Sequence, residues 1–151
     1  MRKTLFALSL LLLVACSAGN DIESASLEAK PGTGRWYTVE QRDAGLALFR
    51  RHCAQCHGEN AEGTADWKTP DADGSYPPPP LNGSAHAWHH PLAMLHKVIA
   101  EGGAPYGGRM LAWQGELTEA EMLKVIAGFQ SFWPDAIYQR WLEIEKRSRA
   151  P

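Results

Sequence analysis

From Gly58 to Pro80 the chain runs through Gly, Asp and Pro without an apolar repeat, and a second such stretch runs from Gly102 to Gly115. Loops of that length are uncommon in a small domain unless they cover or hold something. What flanks them reads as helix. Thr38 with Gln41 forms a capping-box pattern, and Leu46 and Phe49 follow at helical spacing. Leu92, Leu95, Val98 and Ile99 mark a second helix that stops at Glu101-Gly102-Gly103. Thr118 with Glu121 is another capping box, Leu117 and Met122 fit a hydrophobic staple across it, and this helix runs to about Trp133. Pro134 then breaks the chain, and Ile137, Trp141 and Ile144 share one face of a final helix. No segment alternates as a strand. The expected fold is all-α, and four short helices with two long loops have little core of their own. Something large and apolar should fill the centre.

The 151 residues allow one such domain. A formal charge of −2, with no basic cluster, excludes nucleic acid as a partner class. Loss of an N-terminal leader would remove Arg2 and Lys3 and take that charge to −4, which mildly favours a partner of positive character.

That leader is expected over residues 1–15. Arg2 and Lys3 precede an apolar run from Leu5 to Val14, too short to span a bilayer comfortably and typical of an export signal. The run ends in Leu13-Val14-Ala15-Cys16, which resembles the lipobox of bacterial lipoproteins. The resemblance implies cleavage before Cys16, a diacylglyceryl group on its thiol and an acylated amine, hence a durable anchor at the periplasmic face of the bacterial cell envelope. Ordinary cleavage near Ala15 or Ala18 would instead release a soluble periplasmic protein. Ser17 stands where lipoproteins kept at the inner membrane often have Asp, which leans toward the outer membrane. Residues 16–36 then read as the lipidated N-terminus and a flexible tether, with a root-mean-square reach of roughly 25 Å. Residues 37–133 form the domain, and residues 134–151 a C-terminal helical extension.

With Cys16 assigned to the anchor, two cysteines remain. Cys53 and Cys56 are three apart, which puts both thiols on one face of a helical turn, and His57 follows at once. Cys-x-x-Cys-His is a c-type haem attachment signal: the thiols add to two vinyl groups and the imidazole turns to the iron. A structural zinc site would need two more ligands, and no further cysteine is present. A thioredoxin-like pair would need a strand–helix context.

From about residue 38 to 133 the sequence resembles class I bacterial cytochromes c. Gly45 and Phe49 stand where that family has a helix-crossing glycine and an aromatic, Pro79-Pro80-Leu81-Asn82-Gly83 is similar to its Pro-x-Leu-x-Gly, and Met110-Leu111-Ala112-Trp113 is similar to its Met-Pro-Ala-aromatic segment. The resemblance implies one covalent haem c, redox protein partners, and electron transfer in place of enzymatic turnover. It implies that the Pro79 carbonyl orients His57, that Leu81 packs on the haem face, and that His57 and Met110 ligate the iron. A thioether opposite a histidine raises the reduction potential. Met94 and Met122 fall on expected helices, whereas Met110 lies in a loop; a gap-filling role for Met110 stays open. Two positions depart from the family: Leu111 replaces the proline after the methionine, and Gly128 replaces an aromatic facing the first helix. Phe129 could supply that contact in a shifted way, or the crossing could differ.

His86, His89, His90 and His96 gather around Trp88, near Met94. They read as a capping turn whose imidazoles face solvent or a haem propionate, or alternatively as a copper site linked to the haem. Another alternative is a ligand-binding or peroxidase-like haem protein whose Met110 detaches. Trp67 in the first long loop is expected to shield the haem. Tyr138 and Trp141 form a stripe that packs back on the domain or docks a partner.

Overall fold

Both expected capping boxes form. In the computed structural model, which describes residues 25–150, the helices are α1 (Val39–His52), α2 (Ala54–His57), α3 (Leu92–Glu101), α4 (Glu119–Gln130) and α5 (Asp135–Ser148). Thr38 Oγ1 accepts from the Gln41 amide at 3.2 Å while Gln41 Oε1 accepts from the Thr38 amide at 2.8 Å. Thr118 and Glu121 repeat the exchange at 3.2 and 2.9 Å. Each cap satisfies amides the helix cannot, worth about 1 kcal/mol. Among the described residues there is no strand, only the isolated bridges Tyr76–Gly108 and Gln114–Leu117. The described residues form an all-α fold, as expected. The lipobox cysteine Cys16 and the leader lie outside the described residues, within which no helix is long and apolar enough to cross a membrane.

The most extensive helix contact is between α1 and α4. It crosses at glycines: a Cβ on Gly45 would overlap the Lys124 carbonyl, and one on Gly128 would lie 2.6 Å from the Gly45 carbonyl carbon. The departure at Gly128 is therefore a different crossing, backbone on backbone. Phe129, the next residue, is buried beside Trp133, ring centroids 6.1 Å apart.

The expected flexible tether is corrected over its described part, residues 25–36. Trp36 is buried with its Nε1 donating to Gln130 Oε1 at 2.7 Å, and its amide donates to the Tyr138 hydroxyl at 2.9 Å. Arg35 reaches the carbonyls of Gln130 and Trp133 at 2.6 and 2.8 Å, closing the end of α4. Buried aromatics at Trp36 and Tyr37 hold this segment as a strap across the last two helices, because each removes a large apolar surface from water.

The C-terminal helix is likewise part of the core. Trp141 and Tyr138 are fully buried, with ring centroids 5.4 Å apart, and the Trp141 indole donates to the His90 carbonyl at 3.1 Å. Glu145, buried, accepts from the Leu92 amide at 2.6 Å and from Arg149 Nε at 2.6 Å. Its carboxylate supplies the N-terminal cap that Pro91 cannot give α3.

Candidate haem site

The attachment motif interrupts the first helix. Cys53 ends α1 with its amide still bonded to Phe49 O, and α2 is a single turn that carries Cys56 and His57. The two thiols are unbonded to each other; Cys53 is half-buried and Cys56 exposed. Burial, helped by the neighbouring Cys56, pushes the Cys53 thiol up to about 11. His57 is buried, and its Nδ1–H donates to the Pro79 carbonyl at 3.0 Å. Burial lowers the His57 pKa and the Pro79 carbonyl partly opposes this, so the imidazole is neutral near pH 7.

The first loop exists to hold that carbonyl. The Gly63 amide bonds the His57 carbonyl at 2.7 Å, and Thr64 bonds the Pro78 carbonyl at 2.9 Å. Leu81 and Asn82 both donate to Ala61 O, at 2.8 and 3.1 Å. Ala61 is buried in the left-handed region at φ 57, and Gly63, at φ +63, is so close to Pro79 and Pro80 that a side chain would collide with their backbone. On the far side, the Trp133 indole donates to Leu81 O at 2.7 Å. Pro79 and Leu81 are thus fixed from three directions, and Leu81 is half-buried against the core.

Met110 sits in the second loop, half-buried, with its carbonyl accepting from Gly103 N at 2.9 Å. The Gly102-Gly103 pair that ends α3 also seats this segment: a Cβ at Gly102 would lie 2.8 Å from Met110 O, one at Gly103 3.2 Å from Met110 Cβ. Reading those glycines only as a stop signal missed this second role. The loop is pinned near its C-terminal end by Trp113 N to Ile99 O at 3.0 Å and by the Trp113 ring edge-on to His52 at 5.2 Å. It is joined to the first loop by Tyr76 N to Gly107 O at 2.9 Å and Arg109 to Asp71 at 2.6 Å. Leu111 is 75% exposed.

The histidines near Trp88 are spread over several contacts. Among the described residues no group of three His, Cys, Asp or Glu side chains is placed to hold a metal ion. His86 stacks on Trp67 at 4.9 Å and 20°, with His90 edge-on at 5.4 Å, while His96 is buried on α3 beside Glu119.

The donor set fits a covalently bound haem. The Cys53 and Cys56 thiols and the His57 imidazole lie within five residues around one helical turn. A carbonyl holds Nδ1, which leaves Nε2 as the nitrogen that could take a metal. Fold and site together define a c-type cytochrome, a protein that moves electrons through covalently bound haem. The chain belongs to the family described as cytochrome c oxidase, cbb3-type, subunit III, whose model matches residues 40–127. Comparison with curated proteins and with solved structures gave no match.

Proposed function

We propose that this protein is a membrane-anchored periplasmic electron carrier with one haem c, attached through Cys53 and Cys56 and ligated by His57 and Met110. The observation that carries it is the His57 Nδ1–Pro79 O bond of 3.0 Å beside the two free thiols. The buried Cys53 thiol remains an S–H at neutral pH, and an S–H adds across a vinyl group with no other reactant. The haem supplies a one-electron couple. The chain supplies its orientation: Pro79 fixes the imidazole, and the second loop carries Met110 on a backbone tied to α3 and to the first loop. With His57 and Met110 both holding the iron, no position would be open to a substrate, which favours a carrier over an enzyme. The partners are redox proteins, and the family's name points to a membrane oxidase complex as the first to test.

The absorption spectrum tests the ligand pair. The oxidised protein is expected to show the weak methionine-to-iron charge-transfer band, and the reduced protein to bind carbon monoxide slowly. Fast binding without the band would overturn the carrier reading in favour of a ligand-binding or peroxidase-like protein. Met110→Ala should remove the band and lower the potential. Anchoring through Cys16 is tested by the intact mass of the mature protein from membranes, which should exceed that of the chain from Cys16 by one haem and the acyl groups.

A further inference from the structure

Away from the haem site, a cleft of about 770 Å³ opens between the start of α3 and the end of α5, lined by Pro91, Met94, Lys97, Glu145, Ser148 and Arg149. It shares no residue with the haem donor set. We infer that this cleft is a membrane-facing site for an anionic phospholipid, its phosphate on Lys97 and the rim of α5 and its first methylenes against Met94 and Pro91. The inference rests on the reading of Cys16 as the lipid anchor.

Three observations lead to it. The first is chemistry: an apolar floor of Pro91 and Met94 lies under cations. Glu145 is buried with both oxygens engaged, by the Leu92 amide and Arg149 Nε, each at 2.6 Å. Lys97 is 55% exposed and only loosely paired with Glu101 at 3.9 Å, and Lys146 and Arg147 are exposed on the last turn of α5.

The second is where the chain arrives. Arg149, a cleft residue, donates to the Ala25 carbonyl at 2.9 Å, so the N-terminal strap begins at the cleft. The third is the length before it. Cys16 and Ala25 are nine residues apart in sequence, and nine fully extended residues span at most about 31 Å. A domain of this size is about 35 Å across. Whatever the conformation of residues 16–24, the end of the domain carrying the cleft is the end leashed to the bilayer. At the effective concentration such a leash imposes, even a weak headgroup site fills.

The experiment uses the haem-loaded, acylated full protein in phosphatidylcholine nanodiscs, with and without phosphatidylglycerol carrying a photoactivatable acyl chain. Labelling is expected on the peptide spanning Ala93–Lys97. It should fall about fivefold in Lys97→Gln, the effect of one cation near an anionic surface, and not in Arg42→Gln on α1. The haem spectrum and unfolding midpoint of each variant show that it is folded. Labelling centred on Tyr76, Tyr106 and Leu111, or unaffected by Lys97→Gln, overturns the inference alone. So does equal hydrogen-exchange protection of the cleft in an unacylated Cys16→Ser chain free of lipid, which would mean that residues 17–24 fill it. A mature chain lacking the diacylglyceryl mass overturns the anchor, and the inference with it.

Discussion

Gly45 and Gly128 meet backbone to backbone where α1 crosses α4, and a methyl group on either would overlap the opposite helix. Helix propensity alone makes Gly→Ala in a helix favourable by up to about 1 kcal/mol. The crossing reverses that sign. Gly128→Ala must part the two helices or bend one of them, and overpacking of this kind costs about 1–3 kcal/mol. Guanidinium unfolding of the haem-loaded protein should show a net loss, larger for Gly45→Ala, whose new Cβ meets the Lys124 carbonyl. A stabilised Gly128→Ala would contradict the crossing.

Gly63 is expected to matter to the haem although it has no side chain to offer it. Its φ of +63 and its closeness to the Pro79–Pro80 backbone leave no place for a side chain. Gly63→Ala should cost about 2 kcal/mol and move the Pro79 carbonyl off His57. A histidine that loses this acceptor is a weaker donor to iron, so the midpoint potential should rise. Lower stability with an unchanged potential would mean that Pro79 does not orient the imidazole.

Arg35 and Asp135 form an ion pair of 2.9 Å, yet the two residues should behave very differently when removed. Asp135 is 93% exposed, and Asp135→Ala should change stability by less than about 0.5 kcal/mol. Arg35, 11% exposed, also satisfies two carbonyls at the end of α4, and Arg35→Ala should cost about 2–3 kcal/mol. Urea unfolding of both variants separates the exposed pair from the buried caps.

Stability should fall on mild acidification. His86 and His90 are held below the usual histidine pKa, first by burial and then by neighbouring positive charge; His96 is lowered by burial, with Glu119 opposing. The folded chain thus keeps imidazoles neutral that the unfolded chain protonates. Their contribution is complete above about pH 6.5 and is lost as the pH falls below it. Urea midpoints should drop between about pH 7.5 and pH 5, with a shallower drop in a His86→Asn, His90→Asn double variant. Equal slopes would assign the acid sensitivity elsewhere.

Much of the helical frame could be read directly. Thr38 and Thr118 announce their helices because a cap is local chemistry, contained within four residues. The Cys53–His57 pentapeptide is equally local. What escaped were relationships between distant residues. The strap at Arg35 and Trp36 looked like a polar linker because its partners, Gln130, Trp133 and Tyr138, lie about a hundred residues away. Gly102 and Gly103 read as a helix stop, and nothing in their neighbourhood says that they also seat Met110. Gly128 looked like a lost aromatic because its counterpart, Gly45, is on another helix. Glu145 gave no sign in sequence that it caps α3.

The strap has a consequence for the order of assembly. Trp36 and Tyr37 leave the ribosome early, but the groups that receive them, from Gln130 to Tyr138, emerge last. The domain therefore closes like a belt only after the chain is complete through Tyr138, while the two thiols on their short helical turn are already displayed. A chain halted at Ser131 should be cut readily by protease near Trp36, and one continued through Ser148 should resist.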